Sequence, residues 1–289
     1  MKFFKIVGFS IIGLILFAFV WGSIEPYTIG VNQYEVAIPN LPEHKKGDKF
    51  AVIGDFQVGF WLDNIHTIQR VIDLIVDSDP KFVLILGDFI YKGGEVADDR
   101  IALAASLLVP ISQVDIPIYA VLGNHDYSVI SYTAAEIDYQ RAAQLTQALE
   151  KVGVIVLVND NVEIWENIYI VGIGSYLAQN SKIEGSFDGL PESAARIVMM
   201  HNPATFEEIP ANQAPLAFAG HTHGGQVSLP FTPNWSLITC FTEEDTHFDG
   251  WIENYGQEGN QLYVNRGIGM SLVPFRISAQ PELTIITLK

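Results

Sequence analysis

Five apolar runs in the sequence stop on a side chain able to hold a metal ion: FAVIGD on Asp55, KFVLILGD on Asp88, IYAVLGN on Asn124, RIVMMH on His201 and LAFAGH on His221. A single strand closing on Asp or His is an ordinary turn signal. Five in one chain are hard to explain by packing, and in open α/β sheets ligands collect beyond the carboxyl ends of strands, where loops converge on one edge. His223 follows two residues after His221, which on an extended segment sends both rings to the same side. Carboxylate, amide oxygen and imidazole together suit Mn, Fe or Zn better than a calcium cage or a thiolate site. The one cysteine, Cys240, permits neither an intramolecular disulfide nor a Cys-based zinc site and reads as an apolar filler. His44, His66 and His247 lie in polar contexts and read as solvated.

These side chains meet only if the elements behind them line up. FAVIGD, KFVLILGD, IYAVLGNHD and VIVLV read as buried strands, the third ending at Asn124. Between them, Ile65, Ile68, Ile72, Ile75 and Val76 share one helical face, and a second helix is expected over 97–108. Thr133 and Glu136 have capping-box spacing, opening a helix that runs to about Val152. Alternation of this kind implies βαβ units and a largely parallel sheet. The second half differs. EIWENIYIVGI reads as a hairpin turning at Glu166 and Asn167, and RIVMMH, LAFAGH, QVSLP, QLYVNR and LTIITL as strands with little helix between them, which suggests a second sheet packed on the first.

Taken in order, Gly54-Asp55-Phe56-Gln57, Gly87-Asp88, Gly123-Asn124-His125-Asp126, His201 and Gly220-His221-Thr222-His223 resemble the motifs of the calcineurin-like metallophosphoesterases, over roughly residues 48–289. The continuation Gly224-Gly225-Gln226-Val227 and the tail from Arg266-Gly267-Ile268-Gly269 to Pro274-Phe275-Arg276 are similar to the membrane-associated branch of that family. The resemblance implies an α/β fold, a four-layer αββα sandwich of two mixed β-sheets flanked by helices. It implies two divalent metal ions, Mn, Fe or Zn, with Asp55 and His223 on the first, Asn124, His201 and His221 on the second, and Asp88 bridging them. A shared carboxylate is needed because cations about 3.5–4 Å apart repel strongly. Hydroxide generated at the pair would attack phosphorus, and His125 would donate a hydrogen bond or proton to the phosphoryl or leaving oxygen, oriented by Asp126. Asp88 and Asn124 would thus share the catalytic role with His125. Gln57 stands where the family usually has histidine; as a metal ligand its carbonyl oxygen is a neutral, weaker donor. Tyr91, three residues after Asp88, has the spacing of the iron-binding tyrosine of purple acid phosphatases, but without their other motifs it reads as a core or rim residue. Arg276 reads either as a clamp on a substrate phosphate or as a core-edge arginine.

Composition narrows the setting. With 33 acidic and 16 basic residues the formal net charge is −17, which repels phosphate backbones and disfavours a nucleic-acid partner. Residues 6–24 carry no charged side chain, about the length that crosses a bilayer as a helix. Lys2 and Lys5 precede this run and no Lys or Arg follows until Lys45, which predicts a cytoplasmic N-terminus and an extracytoplasmic domain on the cell membrane. The expected organisation is a transmembrane anchor over 1–24, a stalk or linker over 25–47 that leads into an entry strand, and a catalytic domain over 48–289. A cleaved signal peptide competes with the anchor, but Trp21 and the length of the run favour retention.

The expected activity is a monomeric, dinuclear-metal phosphohydrolase acting on a small phosphorylated or lipid-linked phosphate: a monoester, diester or pyrophosphate. One alternative substrate is a UDP-diacylglucosamine-type lipid A precursor, whose cytoplasmic location conflicts with the outward topology. Another reading is an anchored metal-binding module without turnover. A zinc peptidase would need an HExxH motif, which is absent. Phe60, Trp61, Leu229, Phe231 and Trp235 read as core residues that could instead hold an acyl chain or dip into lipid.

Overall fold

The computed structural model describes residues 2–62, 64–92, 97–130, 136–228, 236 and 248–289. The first half runs α1 (Lys2–Ile24), β1 (Gly30–Val36), β2 (Lys49–Ile53), α2 (Ile65–Ser78), β3 (Val83–Ile85), α3 (Ala97–Leu107), α4 (Val109–Ser112), β4 (Ile118–Ala120), α5 (Tyr139–Lys151) and β5 (Val154–Val156). The second runs β6 (Asp160–Trp165), β7 (Ile168–Gly172), α6 (Ile183–Ser186), β8 (Ala195–Met199), β9 (Ala217–Ala219), β10 (Gly250–Ile252), β11 (Leu262–Val264) and β12 (Glu282–Leu288).

Among the described residues the strands form two six-stranded mixed sheets, ordered β1-β12-β2-β3-β4-β5 and β10-β11-β9-β8-β7-β6. In the first, β2 to β5 are parallel, while β12 runs antiparallel to β2 and β1 runs with β12. In the second, β7, β8, β9 and β11 are parallel, edged by antiparallel β6 and β10. The interior parallel strands β3, β4, β8, β9 and β11 are buried on both faces, so they read as unbroken apolar runs, while β5 at the sheet edge leaves Ile155 exposed. Along β2, Phe50 and Val52 enter the core between the sheets, whereas Ala51 and Ile53 face the helices.

Helix α2 buries Ile68, Val71, Ile72 and Ile75, one apolar stripe at helical spacing, and stops at Asp79 with φ 47°. Together with α3 and α5 it covers the outer face of the first sheet. The outer face of the second sheet has a thinner cover, the four-residue α6 and the 3-10 turn Pro203–Glu208 with Phe206 buried. The four layers are therefore present, the fourth formed among the described residues by these short turns.

Several expectations are corrected. The strand expected to close the 25–47 segment is β1, and it begins early, at Gly30, pairing along its whole length with β12, so little of the segment is left as a stalk. LTIITL, grouped by sequence with the second sheet, forms β12 of the first, hydrogen-bonded between β1 and β2 with both of its faces largely buried. QVSLP is not a strand over its described part; Val227 and Ser228 form isolated bridges to Ile277 and Ser236. The strand of IYAVLGNHD ends at Ala120, and Asn124 lies in the turn beyond it. Helix α5 starts at Tyr139, capped by the Asp138 carboxylate accepting from Arg141 N; Thr133 of the expected capping box lies outside the described residues. The hairpin at Glu166 and Asn167 forms as expected, with Asn167 at φ 61°.

Phe218 is fully buried between the sheets, edge-on to Phe50 at 5.7 Å. Phe218→Ala should lower the unfolding free energy by about 3–5 kcal/mol, because the sheets cannot collapse onto the cavity. Denaturant titration of the detergent-solubilised full chain measures the loss.

Candidate metal centre

Each candidate ligand sits just beyond a strand. Asp55, Asp88 and Asn124 follow β2, β3 and β4, while His201 follows β8 and His221 and His223 follow β9. Asp55, Gln57, Asp88, His221 and His223 have φ of 52°, 53°, 55°, 73° and 50°. This left-handed region costs residues other than glycine on the order of 1–3 kcal/mol each unless their surroundings hold it. The turn it makes swings each side chain across the sheet edge. The extended segment expected through His221 and His223 is consequently absent, and His223 opens a 3-10 turn instead. The two rings join different groups of donors.

Asp88, His201 and His221 offer ligand atoms within 4.8 Å of one another, and so do Asp55, Asp88 and His223. Asp88 belongs to both groups. His201 Nε2 lies 3.3 Å from Asp88 Oδ2 and 3.1 Å from Asn124 Oδ1. Its Nδ1 is 2.7 Å from the Leu86 carbonyl, which fixes that nitrogen as a donor and turns Nε2 toward the site. Asn124 is oriented the same way, since its Nδ2 donates to Val129 O at 2.7 Å. In the other group His223 Nε2 lies 3.7 Å from Asp55 Oδ1, and the Asp55 carboxylate accepts from His221 N at 3.1 and 3.2 Å.

Gln57 joins these residues: Nε2 donates to Asp88 Oδ2 at 2.7 Å and lies 3.4 Å from His223 Nε2. Its Oε1 is buried without a hydrogen-bond partner, as is His125 Nδ1. Leaving such a group unsatisfied costs about 1–3 kcal/mol. The mixed oxygen and imidazole set and the doubly used carboxylate fit a pair of divalent cations.

Electrostatics point the same way. Burial, helped by the Asp88 charge, raises Asp55 to about 7. Burial would also raise Asp88, but His201 and His125 outweigh it and hold that carboxyl below its usual range. The same pairing works on His201, where Asp88 overcomes the effect of burial and raises the ring to about 9. Burial and the His201 charge lower His221 to about 3, and burial beside Arg276 holds His223 well below its ordinary value.

Three assigned residues stand differently from expectation. Asp126 does not orient the His125 ring; its oxygens accept from Gly123 N at 2.8 Å, Asp88 N at 3.0 Å and Ile90 N at 3.2 Å, clasping the ends of β3 and β4. Arg276 is not free to clamp a substrate. It is fully buried, and its guanidinium donates to the carbonyls of Gly269, Arg266, Ala279, Gly267 and His223. Of the apolar loop residues, Phe60 is core but Trp61 is 71% exposed; Leu229, Phe231 and Trp235 lie outside the described residues. Tyr91 stacks on His125 with centroids 5.1 Å apart and walls that ring, a contact that no sequence spacing signals. His44 and His66 are exposed, while His247 and Cys240 lie outside the described residues.

A shared carboxylate between two imidazole-containing groups, set on the common edge of two mixed sheets, defines a metal-dependent hydrolase. The chain belongs to the calcineurin-like phosphoesterase family, whose model matches residues 48–225. It is 26% identical over 274 residues to YkuE, a metallophosphoesterase of Bacillus subtilis, spanning 92% of this chain and 87% of that one. It is 22% identical over 320 residues to LpxG, a UDP-2,3-diacylglucosamine pyrophosphatase of Chlamydia trachomatis, across 96% of this chain and 94% of LpxG. With YaeI, a phosphodiesterase of Escherichia coli, it shares 25% identity over 227 residues, 78% of this chain and 76% of that one.

Metal uptake must displace the proton that His201 holds below about pH 9 and the one that Asp55 holds below about 7. His221 and His223 are neutral throughout that range and offer no competition. Affinity should fall as pH falls, about tenfold per pH unit for each proton displaced. One proton is released between the two values and two below the lower one. Calorimetric titration of metal-stripped protein with Mn or Zn, in buffers of different ionisation enthalpy, counts them; a pH-independent affinity contradicts the arrangement.

Proposed function

We propose that this hydrolase is a membrane-anchored, two-metal enzyme that cleaves a phosphoester or phosphoanhydride presented outside the cytoplasmic membrane. The observation that carries the reading is the membership of Asp88 in both donor groups. On this reading Asp55, Gln57 and His223 hold one ion, Asn124, His201 and His221 the other, and Asp88 touches both. The pair supplies, when bound, a water acidified toward neutral pH and positive charge against the phosphoryl oxygens.

His125 supplies the remaining polar group. Its backbone N donates to Asp88 Oδ1 at 2.9 Å, so the bridging residue also sets its position. Burial lowers the ring, keeping it neutral near pH 7. A neutral imidazole carries one N–H, and the unpartnered state of Nδ1 leaves the ring free to spend it on a phosphoryl or leaving oxygen.

The anchor is α1. Residues Phe3–Tyr27 form a helix long and apolar enough to cross a membrane, with none of its apolar window buried against the domain. The positive charges at Lys2 and Lys5 support an inward N-terminus. The names of YaeI and LpxG support a diester or a pyrophosphate as the bond cleaved.

The test uses the full chain loaded with Mn, Fe or Zn and offered p-nitrophenyl mono- and diesters and nucleotide-diphosphate lipids. Asp88→Asn should abolish turnover. His125→Ala should slow kcat by about 10²–10⁴ while both ions stay bound. Gln57→His, which puts imidazole in place of an amide, should tighten the weaker metal-binding step. Undiminished turnover in the Asp88 variant rejects the bridging role, and metal binding without turnover on any substrate favours an inactive module.

A further inference from the structure

We infer that the metal-bearing edge of the domain rests on the lipid bilayer, with Trp61, Leu62 and Leu272 entering the membrane interface beside α1. The inference rests on the anchored reading above and adds a second, separate contact with lipid.

Strand direction makes the first argument. Gly30 pairs with Glu282 in parallel, and Thr284 pairs with Val52 in antiparallel. Strand β1 therefore begins where β2 ends, at the edge that carries Asp55. The chain leaves α1 and enters the domain on the catalytic side.

The junction has no slack. Helix α1 runs directly into the 3-10 turn Glu25–Tyr27, and only residues 28 and 29 separate that turn from β1. The buried Glu25 carboxylate accepts from Ala279 N at 2.6 Å, Pro26 O from Thr67 Oγ1 at 3.3 Å and Tyr27 O from an Arg70 Nη1 at 2.9 Å. Gly22 O, still inside α1, accepts from Arg276 N at 3.0 Å. The Arg276 guanidinium in turn bonds the His223 carbonyl at 3.3 Å. One residue thus touches both the apolar helix and a candidate metal ligand, so the site cannot swing far from the membrane.

Exposed apolar side chains lie on the two segments that attach to this exit. Trp61 is 71% exposed, Leu62 41% and Leu272 61%. Trp61 and Leu62 immediately precede α2, whose Thr67 and Arg70 grip the 25–27 turn. Leu272 lies in the loop that ends at Phe275 and Arg276, and the Phe275 ring meets Phe19 of α1 at 6.4 Å. Large apolar residues exposed around the end of a spanning helix suit the headgroup boundary, where tryptophan is enriched. A site held at that level reaches phosphates carried on membrane lipids.

The test labels the full chain, with Cys240→Ser as background, at Trp61→Cys, Leu272→Cys or Val114→Cys with a nitroxide in phosphatidylglycerol–phosphatidylethanolamine vesicles. Val114 is 47% exposed just before β4, at the opposite edge of the sheet. Flotation after carbonate washing first reports the anchor, and metal content reports folding. Positions 61 and 272 should collide several-fold more with oxygen than with an aqueous nickel chelate, and position 114 should show the reverse. Floating protein whose labels at 61 and 272 behave like 114 overturns the inference and leaves the anchored enzyme standing. Protein that washes off the vesicles overturns the anchor, and this contact with it.

Discussion

The catalytic edge depends on one buried carboxylate that must serve two clusters at once. Asp88 is fully buried, sits in a left-handed backbone and accepts from His125 N and Gln57 Nε2. Such a charge is tolerable only where positive partners or cations surround it. Much of the nearby structure holds that position open. Asp126 clasps the Asp88 and Gly123 amides together. Gly123 must lack a side chain, because a Cβ there would overlap Asp88 Oδ1, and Gly267, at φ 63°, packs in the same way on Asp55. The left-handed turns and the crowded donors are unfavourable in isolation, and the two-sheet core supplies the free energy that holds them.

The motifs were legible in the sequence because strand, turn and ligand are adjacent there. An apolar run ending in Gly-Asp or Gly-His records both the buried strand and its abrupt turn, so Asp55, Asp88 and His221 stood out. Strands β2 to β5 and the hairpin at Asn167 were readable for the same local reason. What stayed hidden depends on contacts distant in sequence. LTIITL pairs with β2 across more than two hundred residues, and nothing in its pattern says which sheet it joins. Arg276, in a tail after several glycines, left a phosphate clamp and a core-edge arginine both open, because its partners are carbonyls brought together only by the folded tail. Asp126 beside His125 suggested an orienting pair. The turns after β3 and β4 instead present the backbone amides of Asp88, Ile90 and Gly123 to that carboxylate, which takes up its acceptor oxygens.

Electrostatics and topology together limit how the domain can stand at a membrane. A formal net charge of −17 gives it no attraction to an anionic headgroup surface and a repulsion that grows as salt is lowered. Proximity to lipid must therefore come from apolar contact. On the anchored reading helix α1 would provide that at one point, but a single flexible attachment would let the acidic domain rotate its catalytic edge toward water. The entry of β1 at that edge, the buried Glu25 and the bonds from Arg276 to both Gly22 and His223 replace a tether with a packed joint. If the proposed membrane contact holds, fixing orientation in this way would remove rotational freedom that a lipid-borne substrate would otherwise have to overcome by binding energy, and would let a few exposed apolar side chains beside the joint decide the depth of the site.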